Sequence, residues 1–295
     1  MNHLNKSTQL IASLSDEVRI GKVLSEKWIG YTRAKDILSR MEELLNHPKT
    51  HRMPNMLLIG PTNNGKTLLL NKFFESYKPV ITPSDTHLSV SVIYVQMPPK
   101  PDERRFYNVI LETLNAPQKD NDRLEKKHGQ VLSILRKVET KILIIDELHH
   151  ILAGKYVNQR AFLNLIKYLS NELRIVIIGA GIKDAYHAIN ADHQMANRFE
   201  PALLPKWKFE EEYLRLLKSF EALLPLRKPS NLDDQDLAMK ILSMSEGVIG
   251  EMATILRKSA IVAIQSKTEC ITKKTIEKIN YISPSNRRRQ FESVS

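Results

Sequence analysis

Short runs of consecutive apolar residues alternate, over the first two thirds of the chain, with longer segments in which apolar residues recur every three or four positions. The runs lie at residues 55–59, 89–96, 141–145 and 174–178. Runs rich in β-branched residues and separated by helical patterns are typical of parallel strands that helices cover on both faces. The pattern therefore predicts an α/β fold built on a parallel sheet.

The pattern changes after Trp207, where the strand-like runs disappear. Helical spacing of apolar residues continues through residues 209–223, 233–244, 250–265 and 272–279. We therefore expect an α/β domain over residues 29–208 and a small α-helical domain over residues 209–282. The polar residues 1–28 are expected to form an N-terminal arm, and residues 283–295, which include three consecutive arginines, a mobile basic tail.

The composition bounds the class of protein and its partners. The 295 residues suffice for one large and one smaller domain, and 42% of them are hydrophobic, which excludes wholesale disorder. A net charge of +11 favours a polyanionic partner such as nucleic acid, although a soluble protein can be basic without one. The single cysteine, Cys270, suits a reducing compartment. Since there is neither a long apolar segment nor a signal-peptide pattern, we expect a cytoplasmic protein.

A complete G-x-x-x-x-G-K-T motif (Walker A) lies between the first predicted strand and a predicted helix. In this setting the loop binds phosphates, because its glycines let successive N–H groups face the ligand at a helix N-terminus. We expect Lys66 to contact the β- and γ-phosphates of ATP, and Thr67 to bind Mg²⁺ through its hydroxyl. The predicted cofactor-binding residues of the loop are Gly60, Pro61, Thr62, Asn63, Asn64, Gly65, Lys66, Thr67 and Leu68.

Two adjacent acids, Asp146 and Glu147, follow the third predicted strand as a Walker B motif. Ligands bind at the carboxyl ends of strands in open α/β sheets, so Asp146 is expected to hold Mg²⁺ and Glu147 to deprotonate the attacking water. The alternative is a pair of acids that only caps a helix. His149 and His150 come next, but without the His-Glu-x-x-His spacing of a helical zinc site. We expect one of them to pack and the other to sense the γ-phosphate or a neighbouring group.

The order of these elements resembles that of AAA+ ATPases, in which a five-stranded parallel sheet flanked by helices precedes a helical lid. The resemblance implies that an arginine from the next subunit completes each catalytic site. Arg198 stands where that residue usually lies, and a surface arginine is the alternative. Ile29 and Gly30 resemble the adenine-side turn of these proteins, and simple packing is an equal alternative for this segment.

Two positions depart from the AAA+ pattern. The fourth strand ends in Gly179-Ala180-Gly181, without the Asn, Thr or Ser that usually forms the first sensor. Glu251 stands where related initiators carry a sensor arginine, and Arg257 lies a helical turn or more later. Both departures predict slow hydrolysis, as in a timed switch rather than a fast motor. We further expect DNA or a partner to stimulate that hydrolysis.

Several stretches together resemble the TniB family of transposition ATPases and, more distantly, the TnsC proteins of related elements. They lie at residues 28–33, 51–56, 94–98, 146–150, 169–173, 198–199 and 204–207. The resemblance covers roughly residues 15–265, and it is the combination of stretches that is specific, since the P-loop alone is generic.

This resemblance implies an ATP-dependent regulator of DNA transposition. Such proteins assemble with ATP into rings or helical filaments on double-stranded DNA, independently of its sequence. They link a target-selecting adaptor of the TniQ type to a DDE transposase, and hydrolysis disassembles them.

Basic residues after the second predicted strand are the candidates for DNA contacts. In the family, loops from this part of the sheet line a central DNA channel, which implies contacts to phosphates rather than to bases. The alternative is a solvated helical face on which nearby acids pair with these cations. The predicted DNA-binding residues are Lys100, Arg104, Arg105, Lys119 and Arg123, and Lys126 and Lys127 belong to the same charged stretch.

Two other functions remain open at this point. An AAA+ helicase loader or replication initiator shares the same motifs, but an initiator normally carries a DNA-binding domain after the lid, and no clear helix-turn-helix pattern follows Gly247. An ATP-gated DNA-binding scaffold with negligible turnover is the other alternative. DNA-stimulated hydrolysis distinguishes a transposition ATPase from the scaffold.

Overall fold

The computed structural model describes residues 1–79, 88–119 and 121–292, with only the backbone at residue 291. The chain forms two compact units. One, the helical unit, comprises Met1–Thr32, Asn63–Gly65 and Pro205–Ser295, and the other, the α/β unit, comprises Arg33–Thr62 and Lys66–Leu204. The expected domain boundary was residue 208, and residues 293–295 of the expected basic tail lie outside the described residues.

The described residues contain fourteen α-helices. In chain order they are α1 Lys6–Ala12, α2 Asp16–Leu24, α3 Thr32–Leu45, α4 Lys66–Ser76, α5 Glu103–Thr113, α6 Leu124–Lys137, α7 Tyr156–Leu173, α8 Lys183–Asn190, α9 His193–Ala196, α10 Glu211–Leu223, α11 Gln235–Ser245, α12 Ile249–Gln265, α13 Lys273–Glu277 and α14 Pro284–Glu292. A 3₁₀ helix spans Leu148–Ala153.

The α/β unit is built on a five-stranded sheet in which every paired strand is parallel to its neighbour. The strands are β1 Asn55–Ile59, β2 Val92–Gln96, β3 Ile142–Asp146, β4 Val176–Gly181 and β5 Phe199–Leu203, in the spatial order β2-β3-β4-β1-β5. This architecture confirms the expected α/β fold with a five-stranded parallel sheet. Because the strands are parallel, the carboxyl ends of β1 and β3 lie at the same edge of the sheet. At that edge β1 leads into the phosphate-binding loop and β3 leads into the acidic pair.

The strands follow from their sequence. All five residues of β1 and of β3 are buried, as expected for strands covered on both faces. Strand β4 continues through Gly181, and glycine at residue 179 leaves room for Leu148, whose Cδ2 would lie 2.6 Å from a Cβ there. The residue before this strand's apolar run, Arg174, is the left-handed C-cap of α7 and so belongs to the end of that helix.

The helical unit has its own apolar core. Residues of α10, α11 and α12 supply most of it, and Val23 of α2 belongs to the same cluster. Residues 1–28, for which an arm was expected, contain α1 and α2. Arg19 of α2 is fully buried, donates from Nε to the carbonyl of Pro225 at 3.0 Å, and forms a two-pronged ion pair with Glu269.

Across the described residues, no helix combines the length and the apolar character that crossing a membrane requires.

Candidate nucleotide-binding site

The loop between β1 and α4 has the backbone that phosphate binding needs. Asn63 and Gly65 both have positive φ, at 60° and 86°, which curls the chain so that its N–H groups converge. At Gly60 the reason for glycine is steric, because a Cβ would lie 2.7 Å from the carbonyl oxygen of Leu204. The two glycines of the motif thus serve different ends: one allows the curl and the other a close approach of backbones.

Lys66 begins α4 and lies almost buried in the curl of the loop. Its Nζ donates to the carbonyl oxygens of Gly60 and Pro61 at 2.9 and 2.8 Å. Burial lowers the pKa of this ammonium, and the charges of Glu147 and Asp146 oppose that shift. A buried cation held by neutral carbonyls is suited to an anionic ligand, which would supply the negative charge that the carbonyls lack.

Asp146 is a buried acid of the α/β unit, with 2% of its surface exposed. Its Oδ2 accepts from the hydroxyl of Thr67 at 2.7 Å and from the hydroxyl of Tyr94 at 2.8 Å, and its Oδ1 accepts from the backbone N–H of Glu147 at 2.8 Å. The structure therefore brings together Thr67 and Asp146, the two residues predicted to bind the metal. Hydroxyl and carboxylate oxygens are the donor types that Mg²⁺ prefers.

Tyr94 is a member of this site that the motifs did not predict. It lies on β2, which pairs with β3 in the register Gln96 to Asp146, and its hydroxyl reaches the carboxylate from the neighbouring strand. Burial and the adjacent Asp146 charge raise the pKa of the Tyr94 hydroxyl, so it acts as a donor. The available sequence signal was a tyrosine, with its polar hydroxyl, among the apolar residues that begin β2.

Glu147 lies in a left-handed turn, with φ 56° and ψ 36°, immediately before the 3₁₀ helix. Its Oε2 lies 3.2 Å from Nδ1 of His149. Burial lowers the pKa of His149, and the charge of Glu147 opposes that shift. The side chain of Glu147 is one third exposed, so it can meet a water molecule as well as the histidine.

His149 and His150 both lie near Glu147, although the sequence lacks the His-Glu-x-x-His spacing that brings such residues together on an α-helix. One ligand-type atom from each of Glu147, His149 and His150 lies within 4.8 Å of the others. The reason is that these residues occupy a left-handed turn and a 3₁₀ helix rather than the α-helix on which zinc spacing rules are based. His150 is directed elsewhere in part, since its Nδ1 lies 3.3 Å from the carbonyl of Met97.

Arg198 lies directly before β5, on the α/β unit. Its guanidinium donates to Oδ1 of Asn171, on α7, at 2.5 Å, while its Nε is buried and has no hydrogen-bond partner among the described residues. Burial, and then the nearby positive charge of Arg52, lowers the pKa of Arg198. Asn171 thus fixes one end of the predicted arginine finger, a contact that spans 27 residues and has no motif of its own.

The middle of the P-loop, Asn63–Gly65, clusters with the helical unit. The N-terminus of α12 is satisfied by this segment: the N–H of Gly250 donates to the carbonyl of Asn63 at 3.0 Å, and the N–H of Ile249 to Oδ1 of Asn64 at 3.3 Å. Gly250 has to be glycine, because a Cβ there would lie 2.0 Å from Oδ1 of Asn63. Asn63 and Asn64 therefore replace the side-chain cap that α12 does not have among the described residues.

Glu251, in the first turn of α12, is a hub of the helical unit. It accepts from Nδ2 of Asn63 at 3.2 Å, from the hydroxyl of Tyr281 at 2.7 Å, and from the guanidinium of Arg287 on α14. The sequence showed only that an acid stands where an arginine was expected. The structure supplies an arginine at that acid from the C-terminal helix.

The predicted adenine-side segment lies in the helical unit. Ile29 packs against the core of that unit, and the ring of Tyr31 meets Trp207 edge-on, with centroids 5.0 Å apart. That Ile29 and Gly30 contact adenine stays a prediction. Ile29 has a packing role whether or not it also contacts the nucleotide.

The predicted DNA-binding residues share one property: Lys100, Arg104, Arg105, Lys119 and Arg123 are all exposed. Arg104 donates to the carbonyl of Asp122 at 2.7 Å, and Lys126 pairs with the Asp122 carboxylate. Lys127 corrects the expectation for this stretch. It is fully buried, with Nζ 2.6 Å from Oδ1 of Asn108, and is therefore removed from the possible DNA contacts.

Comparison with solved structures gives the same fold at low identity. The structure of Aeropyrum pernix ORC2 in its ADPNP-ADP complexes matches with a TM-score of 0.62 and 15% identity, covering 87% of this chain and 70% of that chain. The structure of Aeropyrum pernix ORC1 in complex with DNA matches with a TM-score of 0.61 and 14% identity, covering 92% and 69%. Cdc6p from Pyrobaculum aerophilum matches with a TM-score of 0.57 and 17% identity, covering 89% and 69%.

A parallel five-stranded sheet with this strand order, a complete P-loop after β1 and an acidic pair at the end of the buried strand β3 define an AAA+ ATPase. The particular family follows from the sequence. The family model described as bacterial TniB protein matches residues 19–209, and the chain belongs to the TniB family. No match is found among curated protein sequences.

Proposed function

We propose that this protein is an ATP-dependent regulator of DNA transposition that assembles on double-stranded DNA. The observation that carries the proposal is the TniB match, which spans 191 of the 295 residues and includes both nucleotide motifs. In this role the protein links a target-selecting adaptor of the TniQ type to a transposase. ATP hydrolysis then releases the assembly from DNA.

The chemistry follows from the site. The P-loop N–H groups and Lys66 bind the β- and γ-phosphates of ATP. Thr67 and Asp146 would hold Mg²⁺, which would neutralise charge on the phosphate oxygens. Glu147 takes a proton from the attacking water, because it lies beside Asp146 and is left partly exposed. Arg198 of a neighbouring subunit stabilises the charge that develops on the transferred phosphoryl group.

DNA binding is supported by charge and exposure. The chain carries 44 Lys and Arg against 33 Asp and Glu, and the five candidate cations are exposed. The structural relative from Aeropyrum pernix, ORC1, was solved in complex with DNA. We infer that Lys100, Arg104 and Arg105 contact phosphates, with Lys119 and Arg123 beside them in the chain, and that binding is independent of base sequence.

The experiment is a measurement of fluorescence anisotropy of a labelled duplex against salt, with ADP and with a slowly hydrolysed ATP analogue. We expect cooperative binding with the ATP analogue on any sequence, and a salt slope of about −0.9 for each phosphate contact. Replacing Lys100, Arg104 and Arg105 by alanine should flatten that slope. A matched control replaces Lys6, Lys35 and Lys49, which are exposed basic residues outside the candidate group.

A rival source of the same electrostatics is the tail, with Arg287, Arg288 and Arg289. Removal of residues 286–295 tests it. Binding that does not depend on nucleotide and disappears with the tail would contradict assembly through the sheet loops. Negative-stain images of the same mixtures would show rings or filaments if the proposal is right, and isolated particles if it is not.

A second candidate function is a helicase loader or replication initiator, favoured by the fold likeness to the ORC and Cdc6 proteins. That likeness is at 15% and 17% identity and bears on the fold alone. A preference for particular duplex sequences in the anisotropy experiment would support the initiator. Assembly without measurable hydrolysis, even with DNA, would support the ATP-gated scaffold instead.

A further inference from the structure

The proposed base, Glu147, needs its carboxylate held in one orientation to work. Its backbone is fixed, because the residue adopts a left-handed conformation and its N–H donates to Oδ1 of Asp146 at 2.8 Å. Its side chain carries three further torsions and is one third exposed. A carboxylate on such a side chain samples several orientations in water unless a neighbour holds it.

That neighbour is His149, whose Nδ1 lies 3.2 Å from Oε2 of Glu147. We propose that His149 is a positioning residue for ATP hydrolysis, holding the Glu147 carboxylate through an Nδ1–H hydrogen bond in the orientation from which it accepts the proton of water. The proposal rests on the proposed ATP hydrolysis at this site. It gives a role to a residue that lies outside both nucleotide motifs.

The room for the His149 ring comes from the end of β4. Gly181 is the last residue of that strand, and a Cβ there would lie 3.5 Å from Nδ1 of His149 and 2.7 Å from Cβ of Ala185. A larger side chain at residue 181 would therefore compete with the imidazole for the same space. Gly181 thus ends the strand where the sequence lacks the polar side chain of a first sensor, and the imidazole of His149 lies next to it.

The hydrogen-bonding state of His149 points the same way. Its Nδ1 is shielded from solvent and has no aligned hydrogen bond within the described part of the chain, although the Glu147 oxygen is only 3.2 Å away. A buried donor without a partner is unfavourable, so a small rotation of the Glu147 carboxylate into line is favoured. Catalytic hydrogen bonds are commonly loose before the reacting complex forms.

His150 provides the contrast. Its ring lies tilted against that of His149, with centroids 4.8 Å apart, but its Nδ1 faces the carbonyl of Met97 at 3.3 Å. The two adjacent histidines therefore have different partners, one a carboxylate of the site and the other a backbone carbonyl. His150 is the matched control for His149.

The test compares kcat with nucleotide affinity in three variants. His149→Phe keeps an aromatic ring beside Gly181 but removes the donor, and should lower kcat by about 10- to 100-fold while KM and the affinity for ATP stay within about twofold. His149→Asn restores an N–H near the same place and should recover much of the loss. His150→Phe should leave kcat close to wild type. An unchanged kcat in His149→Phe, or a loss of affinity as large as the loss of kcat, would overturn the proposal.

A double-mutant cycle separates action through Glu147 from action elsewhere. In a Glu147→Gln background, His149→Phe should cause no further loss of turnover, because the group it positions no longer accepts a proton. If the two losses multiply instead, His149 acts on another part of the site and the proposal is wrong.

A second readout does not depend on turnover. Long-range ¹H–¹⁵N spectra of the full chain report which imidazole nitrogen carries the proton. We expect the Nδ1–H form for His149 in the wild type and its loss in Glu147→Ala, with His150 unchanged in both. The Nε2–H form of His149 in both proteins would contradict the contact. If the wild type has no ATPase activity, the proposed function fails by itself, and these spectra still decide whether His149 holds Glu147.

Discussion

Two buried carboxylates, one in each unit, are each met by three donors but have opposite electrostatic outcomes. Asp146 of the α/β unit accepts from two hydroxyls and one backbone N–H, all of which are neutral. Glu251 of the helical unit accepts from an amide, a hydroxyl and the cationic guanidinium of Arg287. Among these direct contacts, the charge of Glu251 is compensated and the charge of Asp146 is not.

The comparison shows how burial can serve two purposes. Neutral donors fix the orientation of Asp146 while keeping its negative charge available, which suits a residue that is to hold a metal cation. At Glu251 the cationic donor neutralises the carboxylate, so that no charge is left for a further cation. The carboxylate then has a structural role, because it connects α12, α14 and the P-loop residue Asn63. The four predictions that follow test whether the residues around Asp146 carry out ATP hydrolysis, and whether Glu251 instead affects ATP binding through its contact with the P-loop.

The largest effect is expected at the catalytic end of the α/β unit. Glu147→Gln should lower kcat by about 10²–10⁴ while ATP still binds, because the amide cannot accept the proton of water. Lys66→Ala should abolish ATP binding, since it removes the buried cation of the loop. Turnover and the binding of a fluorescent ATP analogue are measured side by side. Equal turnover by Glu147→Gln and wild type would remove Glu147 from its role.

Arg198→Ala is expected to have the next largest effect. Loss of one charge-stabilising donor lowers kcat by about 10²–10³, while the variant's own P-loop still binds ATP. Mixing this variant with Lys66→Ala protein should restore part of the turnover, because a mixed junction contains one intact composite site. Asn171→Ala, which removes the Arg198 partner, should give a smaller loss. Mixtures no more active than the sum of their parts would exclude a finger that acts between subunits.

Glu251→Ala tests the coupling region. It removes the partner of Asn63, Tyr281 and Arg287, and should weaken ATP binding by about 2- to 12-fold, the range that one net hydrogen bond is worth. The matched control is Glu246→Ala, an acid one turn before α12 whose carboxylate accepts from the N–H of Ser285 rather than from the P-loop. Isothermal titration with ATP measures both variants. If kcat at saturating ATP falls more than the affinity for ATP does, Glu251 takes part in hydrolysis, and the contrast drawn between Asp146 and Glu251 is wrong.

The smallest effect is expected for Tyr94→Phe. The change removes one neutral donor from Asp146 and leaves the aromatic ring in place, at a cost of about 1 kcal/mol. We expect the Mg²⁺ concentration that gives half-maximal turnover to change by about fivefold, with little effect on turnover at saturating Mg²⁺. Tyr107→Phe, a change at a buried tyrosine of the same unit, is the control. An unchanged Mg²⁺ dependence would leave Tyr94 with a packing role only.

The sequence predicted the contacts around Asp146 better than those around Glu251. Consecutive apolar runs predicted the parallel sheet, and the motifs predicted that Thr67 and Asp146 meet, because both follow strands that open at one edge. The Glu251 junction could not be predicted, since its partners lie 188, 30 and 36 residues away and none belongs to a periodic pattern. Lys127 was misplaced for a related reason: a charged helical stretch does not reveal that one of its cations faces Asn108 in the interior.

The buried Arg19–Glu269 pair also constrains the order in which the chain folds during synthesis. The helical unit is discontinuous in sequence, and about 170 residues separate the segment that contains Arg19 from the segment that contains Glu269. At about 5–20 residues per second, a ribosome needs roughly 10–35 s to make that interval. During this time α2 has neither the carboxylate nor the Pro225 carbonyl that its arginine binds in the finished protein. The α/β unit, which is nearly continuous in sequence, can therefore form first, and the beginning of the chain joins its own unit only after the end has emerged.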